Sequence, residues 1–533
     1  RYTGQSVDRS GNSYSVLMGG ANSLTDVYAS VVIGHFAYNG SVNGGQRNTI
    51  IGFEAAQNST GIDYATVLGA EALKAATTSG ADGTVAIGYQ ALNTLTSGVQ
   101  NVAVGYRAGK SLTTSQKNII IGYQAGENTS TDSNVIMGTS AGRNITTGGG
   151  ENVVIGTGAA ENASDIEDSV LIGTQAGLNS SGSRRSVSVG YYAGQKMYDG
   201  RNNVFMGYTA GRYISGSDNT FVGYNAGRGD TGFTSPGGSN NEAFGSHALL
   251  QLKDGTYNTA IGHYAMSNVE NADYNVAVGY NAGKNIQDGS LRNTILGYRA
   301  GEGKIWGNDN IVMGYFSGYN GITSNNIIMG NEAGRYMSGS NNIAIGNDSM
   351  EGLGTSTMSN IQYNIGIGYR TLRYLAAEAQ NSTAVGYKAG HYATGSSNTF
   401  FGAEAGQGGQ TSAPYSSGHE NVAIGYQAFD AFTTAQRNVA IGYDALGKET
   451  IGHTSVAIGY RAGSQQVFGS AGATNNTMVG SNAGFWNVTG TGNTLIGSNA
   501  GQGGSGNSHN NNTAVGNSAM LSIGTGGNNV AMG

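Results

Sequence analysis

Two pairs of carboxylates occupy the same position of a repeated sequence and could supply acid–base chemistry. Glu54 and Glu71 lie 17 residues apart, and Glu332 and Asp348 lie 16 apart. In a solenoid with one repeat per turn, each pair would be about 5 Å apart, which suits a retaining glycosidase or a bridging cation. In other repeats this position holds Gln, Arg, Asn, Tyr or Lys, which is typical of a solvent-facing site. We predict no chemistry there.

Two histidines and one short motif are the remaining candidates for chemistry. His247 and His263 would be neighbours by the same spacing, but they stand one place apart in the repeat and have no third ligand. The tripeptide RGD at 228–230 is a match that chance gives often. The sequence has no nucleotide-binding loop, nucleophile elbow or zinc signature. We therefore predict that the protein is not an enzyme and holds neither a metal nor a cofactor.

The composition excludes several classes of partner. Gly accounts for 92 of 533 residues, charged residues for 11%, and the net charge is -6. Without a basic patch, the chain is not expected to bind nucleic acid. No apolar run approaches the roughly 20 residues that span a bilayer, so we expect no membrane insertion. The absence of Cys excludes disulfides and thiolate metal sites.

One short unit recurs along the whole chain. Aligning the glycine that follows an apolar triplet gives thirty copies between Gly19 and Gly533, or about 17–18 residues per repeat. We therefore predict one continuous repeat region over 1–533, the interior of a longer chain. In two consecutive copies the recurring residues are Asn101, Gly105, Tyr106 and Ala108, followed by Asn118, Gly122, Tyr123 and Ala125.

The apolar triplet predicts a short, buried strand. Its first and third residues share one face and its middle residue points to the other, because side chains alternate along a strand. The strand is therefore apolar on both faces. Regular repetition of such strands predicts an all-β fold, a parallel β-solenoid or β-roll. The sequence leaves open whether one repeat or two make a turn, and which hand the coil has.

The recurring polar and small residues have structural interpretations. The opening Asn can form an amide ladder with its equivalents in neighbouring turns, and the Tyr column can stack turn on turn. A carbohydrate-binding aromatic track is the alternative for the tyrosines. Ala three places after the glycine implies close packing, which a neighbouring chain could provide. We favour a homotrimer in which the two-faced strands pack on their own core and on a shared axis.

In four places the distance between successive repeat glycines is longer than usual. We predict loops that leave the solenoid there, near 228–240, 350–363, 407–420 and 464–475. Such loops often carry binding, although the sequence favours tolerated surface insertions without function. Two tryptophans lie in ordinary connectors, where they could contact a glycan or pack over the edge of a turn. The candidate binding residues are Phe233, Pro236, Pro414, Tyr415, Trp306 and Trp486.

The segments NVAVGYRAG, NIIIGYQAG and NVAIGYQAF resemble the Gly-rich repeats of phage and virus tail-fibre-like proteins. SVAIGYRAG at 455–463 is also distantly similar to the head repeat of trimeric autotransporter adhesins. The resemblance covers essentially the whole chain and implies a trimeric, left-handed β-roll in a surface fibre. The adhesin repeat is shorter, about 14 residues, and usually lacks the Y-x-A-G half, which puts the bacterial setting in doubt.

The expected function is that of a structural and adhesive fibre, extracellular, on a virion or a cell. It would present or perform attachment to a host glycan or protein receptor. The first alternative is the head of a bacterial trimeric adhesin. A tailspike-like polysaccharide hydrolase is the second, and in that case Glu332 and Asp348 would be its carboxylates.

Overall fold

The computed structural model describes residues 15–19, 27–39, 45–76, 80–229, 237–352, 358–409 and 415–533. The chain divides into two compact units, Arg1–Asn271 and Ala272–Gly533. In these described ranges the secondary structure consists of strands, bends and turns, without a helix. The predicted all-β class is confirmed.

A ladder of three-residue parallel strands forms the frame of the first unit. Each strand pairs in register with the strand of the next repeat; Val102 lies beside Ile119, and Val104 beside Ile121. The strands of this ladder are Val16–Met18, Val31–Ile33, Thr49–Ile51, Thr66–Leu68, Val85–Ile87, Val102–Val104, Ile119–Ile121, Val135–Met137, Val153–Ile155, Val170–Ile172, Val187–Val189, Val204–Met206, Thr220–Val222, Glu242–Phe244 and Thr259–Ile261.

The second unit repeats the same arrangement. Val439 lies beside Val456 and Ile441 beside Ile458, again in parallel register. Its ladder strands are Val276–Val278, Thr294–Leu296, Ile311–Met313, Ile327–Met329, Ile343–Ile345, Ile365–Ile367, Thr383–Val385, Thr399–Phe401, Val422–Ile424, Val439–Ile441, Val456–Ile458, Thr477–Val479, Thr494–Ile496, Thr513–Val515 and Val530–Met532.

Each repeat makes one turn of a parallel β-solenoid, which answers the question that the sequence left open. The four long spacings do not disturb the register. Thr220 pairs with Glu242 across the first of them, and Ile343 pairs with Ile365 across the second. The other two are bridged in the same way. The extra residues are therefore added outside the ladder strands.

Short accessory ladders form in the connectors. Two of their strands, Met358–Gln362 and Gly472–Ala473, lie in predicted insertions and add to neighbouring connector strands rather than standing free. The other accessory strands are Thr147–Gly150, Asp165–Glu167, Ser183–Arg184, Asn285–Ile286, Lys304–Ile305, Met337–Ser340 and Gly452–His453.

The core of each turn is thin and lies on one side of the strand. From Val31–Ile33 to Thr513–Val515, the middle residue of every ladder strand is buried and its two neighbours are at least partly exposed. The alanines that recur three places after the strand glycine also face inward, and Ala108 and Ala125 are 0% exposed. The suggestion that the alanine methyl packs against a neighbouring chain is therefore wrong, because the close neighbour is the chain's own core.

Backbone hydrogen bonds connect successive turns in the connectors as well as in the strands. The Leu92 N–H donates to the Ala108 carbonyl oxygen at 3.0 Å, and the Thr94 N–H to that of Lys110 at 3.1 Å. These bonds satisfy backbone N–H and C=O groups of the connectors. Burying those groups without a hydrogen-bond partner would cost free energy that a thin apolar core could not offset. The solenoid thus depends on turn-to-turn hydrogen bonding around most of its circumference.

Candidate interaction surface

In each of the two units, the outward residues of the ladder strands form an apolar surface, which we call the outer strand face. It consists of the first and third residue of each ladder strand. The third residue is Val, Ile, Leu, Met or Phe in all thirty copies, and the first is Val, Ile or Thr in all but one. Side chains directed at water have no need of this restriction. The regular apolar positions make this face a candidate surface for association.

Exposure values show how much of this face meets solvent. Ile119 is 41% exposed, Leu296 42% and Phe401 57%, whereas Ala103 and Ile120 at middle positions are 0% exposed. From Val31–Ile33 to Thr513–Val515, the outward side chains are half-buried or exposed, whereas the middle side chains are buried. The outward side chains are available to a partner.

The area of the outer strand face is large for a monomer. At roughly one third exposure, covering one aliphatic side chain would remove about 20–40 Å² from water, or about 0.5–1 kcal/mol. The first unit carries twenty-five apolar side chains on this face, which together expose roughly 500–1,000 Å². The largest apolar patch of a typical monomer is about 300–600 Å², and a standard interface covers about 800 Å² per partner.

One charged residue interrupts the outer strand face. Glu242 occupies the first strand position, is exposed, and accepts a hydrogen bond from the Thr259 hydroxyl at 3.0 Å. Phe244 follows it at the third position and is 41% exposed. This turn therefore differs from its neighbours in both charge and bulk.

Many ladder strands are followed by a glycine and then a tyrosine. These tyrosines form five stacked columns. Tyr106 lies between Tyr89 and Tyr123, with ring centroids 5.4 and 5.1 Å apart and interplanar angles of 28° and 10°. A sugar ring would need a free aromatic face, but Tyr106 has another tyrosine ring stacked on each side. The geometry favours stacking between turns over a carbohydrate track. The columns are Tyr89, Tyr106, Tyr123; Tyr191, Tyr208, Tyr224; Tyr280, Tyr298, Tyr315; Tyr369, Tyr387; and Tyr426, Tyr443, Tyr460.

The carboxylates Glu332 and Asp348 lie close together, as predicted, and a third joins them. One oxygen each of Glu332, Asp348 and Glu351 lie within 4.8 Å of one another. Burial raises the pKa of Glu351, against the opposing effect of Arg373. The sequence reasoning missed Glu351, which stands three residues after Asp348 and could have been found by including the connector position.

Arginines neutralise this carboxylate cluster. Arg335 lies 2.8 Å from Glu332, Arg370 2.9 Å from Asp348 and Arg373 2.5 Å from Glu351. A cation or a catalytic proton would have to compete with three guanidinium groups. The arrangement is that of a charge-balanced network.

The other sequence-predicted pairs are likewise engaged within the chain. Glu54 forms an ion pair with Lys74 at 2.6 Å, and Glu71 accepts a hydrogen bond from Gln90 at 2.9 Å. His247 and His263 lie edge to face with ring centroids 6.0 Å apart. Burial, followed by His263 and Arg228, lowers the pKa of His247.

Three of the six candidate binding residues lie in the described part of the chain. Tyr415 stacks on Tyr374 with ring centroids 4.6 Å apart, Trp306 is 60% exposed, and Trp486 is half-buried against Phe485. The structure brings no two of these three candidates together in a described contact. Phe233, Pro236 and Pro414 lie outside the described residues, as does the aspartate of the RGD tripeptide.

Comparison with known proteins gives no assignment. No family model matches the chain, and no curated protein is significantly similar to it. In the parts that the structure describes, no helix has the length and apolar character needed to cross a membrane.

Proposed function

We propose that the protein is a structural and adhesive fibre in which three copies associate through the outer strand face. The observation that carries this proposal is the face itself, apolar at the third strand position in all thirty repeats. Covering it would supply stabilisation that the thin inner core lacks. A homotrimer gives each copy the same environment at every turn, which suits a face that repeats with the turn.

The proposed fibre is extracellular, on a virion or cell surface, and presents or performs attachment to a host glycan or protein receptor. The repeat's resemblance to tail-fibre-like proteins supports this setting. The absence of Cys is compatible with this setting, because hydrogen bonds between turns can stabilise the solenoid without disulfides. Receptor contacts would fall on the insertions and on exposed side chains such as Trp306. The arginine-paired carboxylates do not favour the hydrolase alternative.

Sedimentation of the chain at several concentrations tests the oligomer. We expect a species of three chains, about 163 kDa from three times 54.4 kDa. The variant Ile119→Asp/Met137→Asp places two carboxylates on the outer strand face. Each buried, unpaired charge costs about 3 kcal/mol or more, so trimer formation should weaken at least about a hundredfold.

A matched control keeps the charge change and moves it off the face. Thr113 and Thr114 are exposed in a connector of the same region, so Thr113→Asp/Thr114→Asp should sediment like the unmodified chain. The proposal is overturned if the unmodified chain sediments as a monomer at all concentrations. Equal weakening by both variants would show that net charge, and not the outer strand face, governs association.

A further inference from the structure

The tyrosine columns place oxidisable phenols at the surface in close pairs. Thirteen of the fourteen column tyrosines are at least 36% exposed, and nine stacked pairs have ring centroids 5.1–5.6 Å apart. An oxidant in solution can reach their hydroxyls. The chain has no Cys to compete for it or to form disulfide staples.

We propose that the tyrosine columns are sites of dityrosine cross-linking, which joins successive turns covalently when a haem peroxidase and hydrogen peroxide are present. The pairing depends on turn-to-turn stacking within one chain and not on association between copies. The cross-link would therefore form in a monomer as well as in a trimer.

The chemistry balances with peroxide as the two-electron oxidant. Each of two stacked tyrosines gives up the hydrogen of its phenol hydroxyl, as one proton and one electron, to the peroxidase. The two phenoxyl radicals join through ring carbons next to the hydroxyl-bearing carbons, and a carbon–carbon bond forms. The two hydrogens on the joined carbons move to the phenolic oxygens, which restores both rings. One hydrogen peroxide accepts two protons and two electrons and becomes two waters.

The geometry favours coupling within columns over coupling elsewhere. In the column of Tyr89, Tyr106 and Tyr123, each ring has its neighbour within one turn, held nearly parallel. Tyr363 is 56% exposed and stands outside the five columns. Both classes should be oxidised, but a column tyrosine meets a second radical within its own chain, without diffusion of another chain.

The test treats the dilute, intact chain with peroxidase and one equivalent of hydrogen peroxide, and identifies cross-linked peptides by mass spectrometry. We expect dityrosine fluorescence and peptide pairs that join Tyr89 to Tyr106 and Tyr106 to Tyr123, each lighter by two hydrogen atoms. The variant Tyr106→Phe keeps the ring stack but lacks the central phenol. Both peptide pairs should disappear from it, while pairs from the other columns remain.

Two controls decide the outcome. Tyr363→Phe should leave the column cross-links unchanged, and unfolding the chain in urea before oxidation should remove the preference for column neighbours. The proposal is overturned if column tyrosines remain uncoupled while Tyr363 is oxidised. It is also overturned if the dityrosine found joins different chains only, with a yield that rises with protein concentration.

Discussion

Asn118 shows how a single side chain joins three turns of the solenoid. Its backbone N–H and its Nδ2 group donate to Asn101 Oδ1 at 3.0 and 3.2 Å, and its own Oδ1 accepts from the N–H and Nδ2 of Asn134 at 2.9 and 3.0 Å. The side chain is 0% exposed. This is the amide ladder that the recurring Asn predicts, and here it lies inside the turn, where water cannot replace a lost bond.

Replacing Asn118 tests the ladder. Asn118→Ala removes the acceptor of the Asn134 N–H and should lower the free energy of unfolding by about 1–3 kcal/mol. Asn118→Ser should cost less than about 1 kcal/mol, because Ser169 already serves at this position, where its hydroxyl accepts from the Ser186 N–H at 3.3 Å. Urea denaturation of the three proteins measures the difference. Equal losses in the two variants would contradict the hydrogen-bonding role.

Asp430 makes stability depend on pH. Burial raises the pKa of its carboxyl to about 7, and Asp444 and Glu404 add to the effect. Because the folded-state pKa lies above the unfolded value, the folded protein binds the proton more tightly. The contribution of Asp430 to the free energy of unfolding should therefore be greatest below about pH 4. It should fall as the pH rises from about 4 to 7.

The variant Asp430→Asn removes this titration. At pH 8 we expect it to be more stable than the unmodified chain by roughly 1–2 kcal/mol, with the difference shrinking as the pH falls to 4. Urea denaturation at pH 4, 6 and 8 measures it. A constant difference across these pH values would show that the amide acts through packing and not through the proton.

At the scale of the element, the strand is terminated by a glycine whose backbone must approach the next turn. Gly105 has a φ of +140°, and a Cβ built on it would lie 2.3 Å from the Gly122 carbonyl oxygen. The glycine thus does two things that other residues cannot: it adopts a positive φ and it leaves room for a backbone atom. The same conditions hold at Gly122, so the glycine column follows from the turn spacing itself.

Gly105→Ala should destabilise the protein by at least about 3 kcal/mol, because neither the strain nor the backbone contact can relax without moving the next turn. Gly469→Ala is the matched control, since a Cβ at that glycine would meet nothing within 4 Å. It should change stability by no more than about 0.5 kcal/mol. Thermal unfolding compares the two. A similar small effect at both positions would refute the close approach.

At the scale of the whole molecule, two features set the stability. The inner core is narrow and rich in alanine, while the outer strand face remains uncovered in the single chain. Stability in repeat proteins adds up from neighbouring turns, so a partner along the outer strand face would contribute at every turn. The proposed trimer should then be far more stable than its separated chains.

The unfolding midpoint should therefore rise with protein concentration, as mass action requires for an oligomer that dissociates on unfolding. Urea denaturation at concentrations spanning a hundredfold would measure this. The variant Ile119→Asp/Met137→Asp should show a lower midpoint, and Thr113→Asp/Thr114→Asp should match the unmodified chain. A midpoint independent of concentration in the unmodified chain would contradict the trimer.

The sequence by itself determined the β-solenoid class, the positions of the strands, the amide ladder and the stacked tyrosines. These features are periodic, and a period shows directly in a sequence: residues such as Asn101 and Asn118 recur because every turn presents the same local environment. The sequence also indicated that Glu332 and Asp348 would be neighbours, because their spacing equals one repeat.

Only the tertiary structure decided what each side chain faces. It showed that one repeat makes one turn, that Ala108 is buried in the chain's own core, and that Ile119 is left on the outside. It also showed that arginines neutralise the carboxylates, with Glu351 as a third member. The alternation of side chains along a strand predicts that the strand has two faces. Which face lies inside depends on the side of the strand over which the connector returns, and packing in three dimensions sets that side.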